Sequence, residues 1–249
     1  MTIPGAAHLR ATLFSVGMVL ATVVWGPMTL LGYPMPYLAR YRFVRIWCAF
    51  VLWWLRITCD IRCEVEGREN IPRVPSVVLS KHSSTWETMS LTFLFEPLLF
   101  VVKRELLWVP FFGWGLAVLR SIAIDRSAGR SAMSQVLQQG RDRLKEGCSI
   151  CLFPEGTRVP VGKRKRYGLG GALLAKESGA PLVPIAHNAG QFWGRRTFLK
   201  RPGTIRLVIG APIDPSAHTP EAMRAMTETW IEDTTERLTG IKATPPGQA

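Results

Sequence analysis

Between Arg10 and Arg40 the chain carries no charged residue. Inside that gap, residues 11–31 (ATLFSVGMVLATVVWGPMTLL) form one apolar run, and about 20 helical residues span a bilayer core. No Ala-x-Ala site follows, which argues for a retained anchor over a cleaved signal peptide. Acidic residues are also scarce, 18 Asp and Glu against 31 Lys and Arg, for a formal charge of +13 on 249 residues. Such a surplus implies an anionic partner: nucleic acid, an acidic membrane face or a phosphorylated ligand. The apolar N-terminal third favours the membrane and its lipids and sets nucleic acid aside. Gly-x-Ser-x-Gly, a Walker-type phosphate loop and His-Glu-x-x-His are all missing, which leaves a covalent serine mechanism unsupported and gives no reason to expect a metal. The five cysteines (48, 59, 63, 148 and 151) are odd in number and fit a reducing compartment. Cys148-x-x-Cys151 lies in CSICLF, which reads as a buried strand whose neighbours three apart face opposite ways.

What is present divides the chain. A second apolar block, IWCAFVLWWL at 46–55, is about 15 Å of helix and too short to span. Its three tryptophans and the flanking Arg45 and Arg56 suit a helix lying among headgroups. Arg40, Arg42 and Arg45 outnumber Arg10 on the other side, which sets residues 40 onward on the cytoplasmic face of an inner membrane. A re-entrant helical pair fits the same charges. The expected organisation is a membrane anchor and interfacial helix at 1–56, one α/β domain at 57–240 and a disordered tail at 241–249.

Strands are expected at 57–65, 77–80, 98–103, 121–125, 149–153, 182–186 and 204–210, from alternating or short apolar runs. Helices are expected at about 84–95, 130–146, 168–178 and 220–240, the last with Thr219 as cap and Pro220 at its first position. Strands alternating with helices imply a sheet flanked by helices, with sites at the carboxyl ends of strands.

Two motifs occupy such ends. In His82-Ser-Ser-Thr-Trp-Glu87, an imidazole suited to taking a proton from a hydroxyl precedes a carboxylate that could fix its tautomer. The same residues also read as a capping box, with Ser84 at the N-cap and Glu87 at N3, and spacing alone leaves both readings open. In Phe153-Pro-Glu-Gly-Thr-Arg158, Gly156 allows a close backbone approach and Arg158 offers a fork for phosphate. Glu155 is placed to bond a hydroxyl or orient an arginine, and Arg126, ending another strand, is a second candidate phosphate contact. Lys163-Arg164-Lys165-Arg166 reads either as a solvated loop or as a site for anionic headgroups or a carrier's phosphates. His8, His187 and His218 have no partner at useful spacing.

In combination the motifs resemble the 1-acyl-sn-glycerol-3-phosphate acyltransferase family over roughly residues 76–210. His82 to Glu87 resembles the family's catalytic His-x4-acid motif, and Gly115 to Arg126 its acceptor-binding block. Phe153 to Arg158 resembles its phosphate-associated motif, and Leu182-Val-Pro184-Ile its fourth block. The resemblance implies a mixed, largely parallel α/β sheet and acyl transfer to the sn-2 hydroxyl of 1-acyl-glycerol-3-phosphate. The donor would be acyl-CoA or an acyl carrier protein thioester, with no bound cofactor. It also implies His82 as base with Glu87 behind it, and Arg158, Arg126, Glu155, Gly156 and Thr157 around the phosphate. Helix-start amides after His82 would hold the oxyanion, and Lys103 with Lys163–Arg166 would meet donor or membrane. Relatives acylate other lyso-lipids with the same motifs, so a lysophospholipid or lyso-aminolipid is the alternative acceptor. The usual motif ends in Asp, whereas Glu87 reaches about 1.5 Å further.

Overall fold

The computed structural model describes residues 4–125 and 129–244. The uncharged run folds as helix α1, Pro4–Leu31, the one helix among the described residues long and apolar enough to cross a membrane. The block at 46–55 is not a short separate helix. It lies inside α2, Tyr37–Cys59, a helix of 23 residues. Nothing between Tyr37 and Ile46 breaks a helix, and its three arginines are good helix formers. Asp60, in the left-handed region at φ 49°, ends it, so residues 57–59 finish a helix and do not open a strand.

α1 and α2 pack as an antiparallel hairpin. Indole N–H groups of Trp54, Trp47 and Trp25 donate to Leu13 O, Thr22 Oγ1 and Phe43 O at 3.1, 3.2 and 3.3 Å. Gly17 permits this fit, because a Cβ there would sit 2.1 Å from the Trp54 ring.

The sheet has seven strands: β1 Ile61–Glu66, β2 Val77–Ser80, β3 Leu98–Lys103, β4 Ile122–Ile124, β5 Ser149–Leu152, β6 Leu182–His187 and β7 Gly203–Ile209. Their order is β1-β7-β6-β2-β5-β3-β4. Every neighbouring pair is parallel except β6–β7, so the sheet is mixed and largely parallel. The helices are α3 Trp86–Ser90, α4 Phe112–Val118, α5 Arg130–Lys145, α6 Gly170–Ser178 and α7 Pro220–Thr239. The helix expected over 84–95 is cut short at Ser90 and continues as a 3-10 turn, Leu91–Phe93. Hydroxyls of Thr88 and Thr92 bond back to carbonyls three residues earlier, both at 2.6 Å, and compete with the α-helical ladder. α7 starts on Thr219, whose hydroxyl accepts from Ala222 N at 3.2 Å.

Both sheet faces are covered, as parallel strands require. Leu79, Leu99, Ile150 and Leu182 face Val136, Leu174 and Ile231 of α5, α6 and α7. On the other face Val78, Cys151, Val183 and Ile205 meet α3 and the hairpin residues Phe14, Val51 and Leu55. Phe14 is fully buried, edge-on to Trp193 with ring centroids 5.1 Å apart. Each such side chain contributes about 1.5–3 kcal/mol by burial, so the hairpin belongs to the domain core. The tail expected from 241 also departs from expectation at its start. Ala243 N and Thr244 N donate to Glu236 Oε1 and Gly162 O at 2.8 and 3.0 Å, while 245–249 lie outside the described residues.

Candidate active site

β2 and β5 are parallel neighbours, with Leu79 opposite Leu152, so their carboxyl ends deliver His82 and Phe153 side by side. The two rings stack at 3.8 Å. The His82 backbone is clamped from the β5 turn: its N–H donates to Glu155 Oε2 and its carbonyl accepts from Val159 N, both at 2.7 Å.

His82 Nδ1 meets Glu87 Oε1 at 2.8 Å. The same oxygen accepts from Ser84 N at 2.9 Å and Ser83 N at 3.1 Å, while Ser84 Oγ accepts from Trp86 N at 3.1 Å. The helix-start brace and the imidazole partner are thus one carboxylate. A carboxylate is acceptor-only, so Nδ1 carries the proton and Nε2 is left as acceptor. Burial pushes the Glu87 carboxyl upward, but the His187 and His82 imidazoles and the Ser84 N–H hold it below the usual range. The bracing narrows one expectation, that helix-start amides hold an oxyanion. Amides of Ser83 and Ser84 are taken by Glu87 and that of Trp86 by Ser84, so these three are not free for an oxyanion.

Glu155 does not face a substrate. Its carboxylate is closed off from solvent and ion-pairs with buried Lys81 Nζ at 2.8 Å, which also reaches Glu232 Oε1 of α7 at 2.7 Å. Tyr167 donates to the same Glu232 oxygen at 2.8 Å. Burial pushes the Glu155 pKa up to about 7 against the pull of Lys81 and the His82 N–H. Lys81 is held above its ordinary value by the two carboxylates, against its own burial. His187 is buried and structural. Its Nε2 donates to Lys81 O at 2.9 Å and its Nδ1 accepts from Ala189 N at 3.2 Å, and burial lowers its pKa. Lys81, Glu232 and His187 were not singled out by spacing. The one local signal was a lysine beside the candidate base, directly after the short buried strand β2.

Arg158 stands next to the dyad, with Nη1 donating to Thr85 Oγ1 at 2.8 Å. It shares with His82 the wall of a cavity of about 390 Å³. That cavity is bounded by Trp25 and Trp47 of the hairpin, Phe100 of β3, and Phe111 and Phe112 at α4, with Lys103 also on its wall. Gly156 takes the left-handed φ of 70° at the exposed apex of the turn, which a side chain would strain. Thr157 beside it is half-buried.

The other candidates are dispersed. Arg126 lies outside the described residues. Arg164 is committed to α7, with Nη2 on Glu236 Oε1 at 2.7 Å, whereas Lys163, Lys165 and Arg166 are exposed. Pro184 is buried in β6 with its carbonyl accepting from Gly210 N at 2.9 Å, away from the cavity wall. Among the described residues no cluster of His, Cys, Asp and Glu could hold a metal ion.

A largely parallel sheet carrying a carboxylate-backed histidine at an apolar cavity is the framework of an α/β enzyme. The chain belongs to the acyltransferase family, whose model matches residues 62–188. It is 46% identical to a 1-acyl-sn-glycerol-3-phosphate acyltransferase of Pseudomonas aeruginosa, across 94% of this chain and 93% of that one. A protein of the same description from Chlamydomonas reinhardtii is 29% identical, across 84% of this chain and 65% of its own. The fold is that of the crystal structure of the 1-acyl-sn-glycerophosphate (LPA) acyltransferase from Thermotoga maritima. The two superpose with a TM-score of 0.78 at 22% identity, over 95% of this chain and 97% of that one.

Proposed function

We propose that this acyltransferase moves a fatty acyl group from a thioester to the sn-2 hydroxyl of 1-acyl-glycerol-3-phosphate. The observation that carries the reading is one geometry: a Glu87-backed His82 and Arg158 on the wall of a single apolar cavity. His82 Nε2 takes the hydroxyl proton as the oxygen attacks the thioester carbonyl, and returns it to the departing thiolate. Glu87 orients the ring and balances the imidazolium charge. Arg158 grips the acceptor phosphate and the cavity takes an acyl chain, while Lys103 on the same wall is paired with Glu105 at 2.8 Å. The donor is acyl-CoA or an acyl carrier protein thioester.

The hairpin attaches the enzyme to a membrane through the outward side of α1, where Leu9, Leu13, Leu20 and Val24 are exposed. Phe14 meets Trp193, and Gly26 lies against Phe111. These contacts are about 18 Å apart along the helix, which supports a hairpin dipping into one leaflet while packed on its domain. The basic start of α2 favours the cytoplasmic face of an inner membrane.

The test pairs both donor types with lysophosphatidic acid and with other lyso-lipids in mixed micelles. Transfer to lysophosphatidic acid that disappears in His82→Ala, with folding and lipid binding retained, is expected. Undiminished turnover by that variant refutes the mechanism. Transfer only to another lyso-lipid replaces the acceptor.

A further inference from the structure

Outside the hairpin, exposed large apolar side chains gather in two segments, and both abut α1. One follows β3 and includes Trp108, 81% exposed; Phe111 of that segment lies against Gly26. The other is the loop Arg195-Arg-Thr-Phe-Leu-Lys-Arg201, where Phe198 and Leu199 are 50% and 40% exposed. The Phe198 ring is 6.5 Å from that of His8, near the start of α1. Residues 8 and 26 are about 27 Å apart along a helix, so the exposed apolar stripe of α1 has an apolar segment at each end.

The 195–201 loop is built to present these side chains. Lys200 Nζ sits over the rings of Phe14, Trp193 and Phe198 at 5.3, 5.4 and 5.6 Å and donates to Phe198 O at 2.7 Å. That cage ties the loop to the buried side of α1. Arg195 Nη1 donates to Arg158 O at 3.0 Å, which ties it to the turn bearing the candidate phosphate ligand. Arg196 and Arg201 are exposed on either side of the apolar pair.

We propose that loop 195–201 is a second lipid-contacting element. Phe198 and Leu199 enter the boundary between headgroups and acyl chains, and Arg196 and Arg201 engage anionic headgroups. A bilayer is the occupant that fits, because the apolar surface continues from the loop along a whole helix and the flanking charge is positive. The inference rests on the membrane-attachment reading above and not on the reaction catalysed. Arg195 gives the contact a consequence, since lipid engagement would steady the backbone of Arg158.

The test adds the full chain, diluted from detergent, to preformed vesicles of phosphatidylcholine with or without about 30 mol% phosphatidylglycerol, which supplies an anionic surface. Flotation gives the partition coefficient, and hydrogen exchange reports on residues 194–203. Phe198→Ser/Leu199→Ser should lower partitioning about tenfold on both vesicles. Arg196→Gln/Arg201→Gln should lower it about twentyfold on anionic vesicles alone, an effect that high salt removes. Leu199→Ser by itself leaves the Lys200 cage intact and should give a smaller loss in the same direction. Exchange in the loop should slow when anionic vesicles are added. Wild-type partitioning by all these variants, with melting temperatures unchanged, overturns the proposal. So does a loop whose exchange is slowed by an acidic carrier protein and not by vesicles. No turnover is measured, so failure of the acyl-transfer reading would leave this result standing.

Discussion

Replacing Glu87 by Gln tests whether this carboxylate serves chemistry or only the start of α3. Gln is nearly isosteric, and its amide oxygen can still receive His82 Nδ1, Ser84 N and Ser83 N, now at 2.8, 2.9 and 3.1 Å. The ring orientation and the helix brace are therefore retained, and the negative charge alone is removed. An imidazolium and a carboxylate with charge centres about 4 Å apart attract by roughly 4 kcal/mol at an effective dielectric of ~20. A neutral hydrogen bond keeps part of that, leaving about 3 kcal/mol lost in the transition state, or a roughly 100-fold fall in kcat. The amide nitrogen would replace Oε2, which faces the His187 Nε2 donor at 3.9 Å. One unsatisfied buried donor costs about 1–3 kcal/mol of stability. The assay is kcat with both substrates saturating, beside urea unfolding of the same preparation. A loss of stability with kcat within about threefold of wild type would refute the catalytic role and leave a brace. Glu87→Asp completes the comparison. It keeps the charge but retracts the carboxylate by about 1.5 Å, which breaks all three bonds unless the His82 loop follows, so kcat should fall at least tenfold. Full activity in the Asp variant would show that the loop adapts.

Arg158→Ala should raise the acceptor KM by about 10- to 100-fold with a smaller change in kcat, as expected for one or two charge-assisted bonds to a ground-state phosphate; steady-state kinetics over acceptor concentration checks it. Glu155 makes a pH prediction. With its pKa at about 7 against an ordinary 4.5, the folded protein holds a proton that the unfolded chain has released. Its stabilising contribution is full below 4.5 and is lost as pH rises toward 7, by up to about 3 kcal/mol. Urea midpoints of Glu155→Gln at pH 5 and pH 8 should lie closer together than those of wild type. Gly115→Leu adds bulk to the cavity wall, where a Cβ would meet only Val44 Cγ1 at 3.8 Å. Donor competition should then shift toward shorter acyl chains, with His82-dependent turnover retained.

The sheet was legible because its strands are short apolar runs bounded by turn residues, and Thr219, Pro220 and Gly240 bracket α7 without ambiguity. Boundaries failed where a local rule met a longer-range one. ITCD reads as the start of an alternating strand, yet α2 reaches Cys59 because Leu55 and Cys59 pack on the core that includes Ile205. The acid five residues after His82 could be read as brace or partner, and spacing could not say that one oxygen does both. Glu155 read as a group for a hydroxyl or an arginine, whereas its partner is Lys81, and a buried charged side chain just past the end of β2 is not expected from pattern. Lys81 lies there because Glu232, 151 residues away in sequence, supplies a second carboxylate. The cavity was not legible at all. Its aromatic wall is assembled from the hairpin, β3 and α4, which periodicity treats separately.

The packing of Phe14, Val51 and Leu55 into the domain has a practical corollary. Deleting the first 59 residues would remove more than a tether. It would strip one wall from the cavity and uncover the sheet beneath, and the remnant should aggregate instead of dissolving. A water-soluble form is better sought by leaving the backbone whole and recolouring its outside. Polar replacements at outward positions of α1 such as Leu13, Val16 and Leu20, which are 47%, 51% and 59% exposed, would do this. Such a variant would separate the cost of reaching the bilayer from the chemistry performed beside it.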